Sequence, residues 1–147
     1  PKPIDVVEKE TVLALLQAGQ IAITVGGGGI PVIRQGNHLK GASAVVDKDF
    51  ASAKLGELID ADLLIILTAV EKVAINFGKP NEQWLDRLSV DQAREYAAQG
   101  HFAKGSMLPK VEAALSFAAS RPGRQALITK LTTAKDGIEG KTGTVIG

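Results

Sequence analysis

The chain has 147 residues, 45% of them hydrophobic and 22% charged, which is enough length for one self-sufficient core and the makeup of an ordinary soluble globular protein. Lys and Arg number 17 against 16 Asp and Glu, and a net charge of +1 gives no electrostatic case for nucleic acid or an anionic membrane surface as partner. The lack of cysteine excludes disulfides and thiolate metal sites, and no apolar run reaches the roughly 18 residues of a membrane span.

In chain order, residues 4–18 open with Asp5 and place Val7, Val12, Leu15 and Leu16 at helical spacing, and Gly19 closes them as a residue tolerant of positive φ. Residues 21–25 are a short β-branched run read as a strand, stopped by Gly26, Gly27, Gly28 and Gly29. Apolar Ile30, Val32 and Ile33 follow, then a polar turn region over residues 35–41. Residues 47–61 form a helix behind Asp47 and Asp49, and residues 63–67 are a continuous apolar run of the kind that makes a buried strand. Residues 73–75 are a further short strand, ended by Asn76, Gly78 and Pro80. Residues 89–99 are a helix capped by Ser89 and stopped by Gly100, and residues 105–119 are another, with Pro109 in its first turns. Residues 125–129 and 143–146 read as closing strands. Strands alternating with helices point to an α/β sandwich with a mostly parallel sheet in one domain over residues 1–147.

Four segments carry possible chemistry. The four glycines with Ile30 and Pro31 follow a strand, and a backbone without side chains there can converge its N–H groups on phosphate oxygens; read structurally, the same residues are a strand-end turn. They are neither a P-loop nor a dinucleotide fingerprint, because the required Lys-Ser/Thr and glycine spacing are missing. Asp47-Lys48-Asp49 holds a cation between two carboxylates at a helix start, as phosphoryl transfer would use it, or simply caps the helix. Lys110 stands in the first turn of a helix, where a cation is mildly unfavourable unless something anionic lies opposite. The loop from Asn76 to Asn81 follows the central strand, where ligands of α/β sheets bind, and offers Phe77 to a base. His38 and His101 sit in polar, loop-like contexts and read as surface histidines, and Trp84 reads as a packing residue.

Taken in order, GGGGIP (26–31), DKD (47–49), LLIILT (63–68), NFGKPN (76–81), GSMLPK (105–110) and Gly143-Thr144-Val145 resemble carbamate kinase, of the amino acid kinase fold family. The likeness runs along the whole chain but corresponds to the C-terminal, nucleotide-binding half of the family's length. It implies a three-layer αβα sandwich, ATP/ADP as cofactor with Mg2+ carried by the nucleotide, and reversible phosphoryl transfer between ATP and carbamate. In arginine breakdown that reaction runs from carbamoyl phosphate and ADP to ATP. By motif position, Lys48 and Lys110 are the phosphate-contacting lysines and Asp49 the carboxylate that organises them. Gly26 to Gly29 with Asp47 lie near the phosphates, and Thr68, Val70, Asn76, Phe77 and Met107 neighbour the nucleoside. Many relatives read Thr-Asp-Val-Asp-Gly-Val-Tyr after the central strand, whereas this chain has Ala74 at the aromatic position.

The resemblance further implies a cytoplasmic homodimer in the intact protein. The chain starts at Pro1 and its one methionine is Met107, so the sequence is expected to be part of something longer and inactive alone. A sheet with half the family's strands is expected to expose an edge and self-associate. The alternatives are a non-catalytic nucleotide-binding or assembly module of the same fold, or a sister kinase acting on another carboxylate.

Overall fold

The computed structural model describes residues 1–147, which fall into two compact units, Pro1–Asp60 and Ala61–Gly147. No helix is long and apolar enough to cross a membrane.

In the first unit, helix α1 covers Lys9–Gln17, five residues later than its periodicity suggests. The Asp5 carboxylate explains the delay: it accepts from the Val6 N–H at 2.9 Å and from Lys9 Nζ at 2.8 Å, a local turn that competes with helix. Gly19, at φ 74°, ends the helix. Residues 21–25, expected as a strand, pair with nothing in a ladder, Val25 lies at φ 69°, and Ile21 and Ile23 are 94% and 99% exposed. β-branched content supplies the preference, but a strand exists only with a partner to take its backbone hydrogen bonds. The expected turn region is instead a hairpin, β1 (Val32–Gln35) against β2 (His38–Gly41), closed by Gly36 and Asn37 with Gly36 at φ 58°. Helix α2 (Lys48–Leu58) starts on Asp47, whose carboxylate accepts from the Asp49 N–H at 2.7 Å.

The second unit is built on a four-stranded sheet in the order β3 (Leu63–Thr68), β7 (Gln125–Lys130), β8 (Thr144–Ile146), β6 (Arg87–Leu88). Pairs β3–β7 and β6–β8 are parallel and β7–β8 is antiparallel, so the sheet is mixed with a parallel majority. A separate antiparallel pair joins β4 (Val73–Ile75) to β5 (Gln83–Leu85). Helix α3 (Val90–Ala98) opens with a reciprocal cap in which Ser89 and Gln92 each bond the other's backbone N–H. It packs on α4 (Met107–Ala119), which lies against β7, while α5 (Ala134–Ile138) packs on β7 through Gly137, beside Leu127 and Thr129. Phe117, Val111, Leu127, Ile128, Leu88, Ile146 and Val73 fill the core. Buried Arg124 places Nε on the Ala61 carbonyl, Nη1 on Ser120 Oγ and its guanidinium 5.2 Å from the Phe117 ring centre. Thr144, also fully buried, accepts from the Val73 N–H at 2.8 Å and donates to the Leu85 carbonyl at 2.5 Å, tying β4 and β5 to β8.

Candidate functional site

In the first unit the glycine loop and the DKD segment come together. Gly28 has φ 134°, and a Cβ there would stand 1.8 Å from the Val46 carbonyl oxygen, so the loop lies flat on the chain leading into α2. Gly26 and Gly29 also have positive φ, while Gly27 is open to space on the Cβ side. Lys48 donates to Asp49 Oδ1 at 2.8 Å; the Asp49 side chain is largely buried and the Lys48 side chain half exposed. A carboxylate at the start of α2 is favoured by the helix dipole, and it holds the lysine at a fixed place beside the loop.

In the second unit a cavity of about 200 Å³ opens past the carboxyl end of β3, the edge where α/β sheets bind ligands. Thr68, Ala69 and Val70 leave the strand along one wall, and Lys72 and Ala74 of the β4 segment form another. Phe77 and Trp84 stand edge to face, ring centres 5.9 Å apart, and are 64% and 45% exposed. Two large aromatics held in contact yet open to solvent are surface a ligand can cover. His101, Phe102, Ala103, Ser106 and Met107 close the cavity at the start of α4. Ser106 makes no side-chain bond to the helix it precedes, and Lys110 follows within the first turn of α4, half-buried. Lys72 is paired with Asp86 at 2.6 Å, and that hydrogen bond, opposed by burial, holds its ammonium above the ordinary lysine range. A second, more open cavity of about 460 Å³ shares Ala69, Val70, Lys72 and Trp84 and adds Glu71 and Lys130, so a chamber with charged groups in its wall adjoins the apolar one.

Of the residues singled out in sequence, Thr68, Val70, Phe77 and Met107 thus line one cavity. Asn76 stands outside its wall: at φ 54° it shapes the loop, its carbonyl accepting from the Lys79 N–H and its amide reaching the Asn81 carbonyl. Trp84 and His101 were missed. Trp84 packs edge to face on Phe77 and also forms a cavity wall, and His101 lines the cavity rather than the open surface. Their only sequence signal was an aromatic and a heteroaromatic just before and just after α3. No three His, Asp or Glu residues gather to hold a metal, and Asp47 and Asp49 are engaged by a backbone N–H and a lysine.

The sequence model of the amino acid kinase family matches residues 1–130. The chain belongs to the amino acid kinase family. It is 77% identical to the carbamate kinase-like protein YqeA of Escherichia coli and 49% identical to the carbamate kinase of Clostridium perfringens, each over 99% of this chain and 47% and 46% of the relative. Its structure superposes on a carbamate kinase from Giardia lamblia bound to AMP-PNP with a TM-score of 0.95 at 39% identity, covering 99% of this chain and 46% of that one. The fold is therefore that of the amino acid kinases, a partial αβα sandwich, and the chain spans about half the length of the relatives it matches.

Proposed function

We propose that this chain is the nucleotide-binding, C-terminal half of a carbamate kinase-like phosphotransferase, and that alone it does not turn over. One observation carries the reading: an apolar chamber faced by the exposed pair Phe77 and Trp84, at the carboxyl end of β3, closes on the start of the helix that bears Lys110. A base lying against Phe77 and Trp84 and phosphates near an uncapped helix start match how folds of this kind hold nucleotides. The AMP-PNP in the Giardia relative supports the same assignment.

In this reading a carbamate oxygen attacks the γ-phosphorus of ATP as the bond to the ADP oxygen breaks, giving carbamoyl phosphate, and the reverse makes ATP. The protein's task is to place cations against the charge on the transferring group. Lys48, held by Asp49, and Lys110 take that role, while the flat backbone of Gly26 to Gly29 admits phosphate oxygens. Mg2+ carried by the nucleotide would neutralise phosphate charge beside these residues. Carbamate contacts and a dimer belong to the intact protein, which we place in the cytoplasm. Lys48→Ala and Lys110→Ala in a full-length relative should each lower kcat by at least about 100-fold with ADP affinity within severalfold. Unchanged kcat in both would instead favour a non-catalytic module.

A further inference from the structure

The apolar chamber has five side chains with polar atoms in its wall. Thr68 and Ser106 are hydroxyls that suit either donor or acceptor, Lys72 is already engaged by Asp86, and the Trp84 indole N–H can only donate. His101 differs, because a relay from α3 determines which of its nitrogens carries the proton. Glu95 can only accept, so the 2.9 Å bond to Gln99 identifies the Gln99 atom there as the amide nitrogen. The Gln99 oxygen is thereby turned to His101 Nε2, at 3.1 Å, and an oxygen of that kind can only accept. Nε2 is the donor, and in the neutral ring Nδ1 keeps its lone pair. The ring's other contact is edge-to-face on Tyr96, at 5.3 Å and 84°, which holds its plane. Nδ1 has no partner in the protein.

Resting on the nucleotide reading above, we propose that His101 determines base specificity: Nδ1 accepts from the exocyclic amino group of adenine and disfavours a purine with an oxo group there. A 6-oxo purine would set its oxygen against a lone pair in an apolar chamber and leave both acceptors unmet. Gln99 and Glu95 act as positioning residues, since they fix the tautomer without touching the base.

The test is calorimetric titration of the chain with ADP and with IDP, which differ at the amino/oxo position and in the accompanying ring proton. The parent should prefer ADP by about tenfold or more, the size expected from one unmet buried acceptor. His101→Leu keeps the bulk of the ring and should bring the two ligands to within about twofold. Gln99→Leu, which leaves the histidine in place but frees its tautomer, should narrow the preference in the same direction and guards against a His101 variant that misfolds. A parent that binds both equally, or variants that keep the parent's ratio, would overturn the assignment of His101 while leaving the nucleotide reading intact. A parent that binds neither ligand would remove the nucleotide reading itself, and the specificity assignment with it.

Discussion

Replacing Thr144 by valine tests how the cavity is held open. The side chain is fully buried, and its hydroxyl bonds both the Val73 N–H at 2.8 Å and the Leu85 carbonyl at 2.5 Å. Valine keeps the shape and removes the hydroxyl, so two buried backbone groups lose a partner at about 1–3 kcal/mol each. A carbonyl has a second lone pair and relaxes more easily, so the expected loss is about 3 kcal/mol rather than the upper sum. For a chain of this length that is a fall in Tm of about 6–12 °C. Thr144→Ser keeps both bonds and deletes one methyl, at about 1 kcal/mol. Urea unfolding followed by circular dichroism should show the valine variant's midpoint well below the serine variant's at equal slope. Because β4 and β5 carry Ala74 and Trp84 into the cavity wall, ADP affinity should fall with the valine variant too. Equal stability of the two variants, or a valine variant within about 1 kcal/mol of the parent, would refute the clamp.

Further outcomes follow from single contacts. Gly28→Ala sets a methyl 1.8 Å from the Val46 carbonyl at φ 134°, and should cost at least about 2 kcal/mol in urea unfolding, while Gly27→Ala, which meets nothing, should be near neutral; equal effects would contradict the tight loop. Asp86→Asn should lower the Lys72 pKa toward 10.5, as read by NMR titration of its Nζ or Cε. Because the folded pKa is raised, the Lys72 contribution is present below 10.5 and disappears as pH rises through the higher folded value, so the parent and Asp86→Asn should converge in stability at strongly alkaline pH. The outer edge of β3 has no partner in its sheet, and Leu63 and Leu67 are 43% and 40% exposed, so sedimentation should show concentration-dependent association that Leu63→Lys weakens.

Some elements were legible because short-range chemistry decides them. The run from Leu63 and the two caps, Asp47 on α2 and Ser89 on α3, needed only a few neighbouring residues and stand where the sequence puts them, although the run is an edge strand with only Ile66 buried rather than the buried strand its apolar content suggests. Strands β5 and β6 are too short to show any period and exist because β4 and β8 take their backbone bonds, and residues 21–25 show the converse case. Helix α5, at five residues, has no apolar stripe to read and is held by Gly137 against Leu127 and Thr129. In the site, Thr68, Val70, Phe77 and Met107 followed from motif order, whereas the cavity's meeting of Trp84 with His101 comes from how β5 and the start of α4 converge, which no local pattern encodes.

Trp84 is the chain's one tryptophan and lies in the cavity wall, so its fluorescence reports directly on the central claim. Titration with ADP should give a saturable change in emission that Trp84→Phe abolishes while calorimetry still detects binding. No saturable change up to millimolar ADP, together with no heat of binding, would contradict a nucleotide site in this chamber.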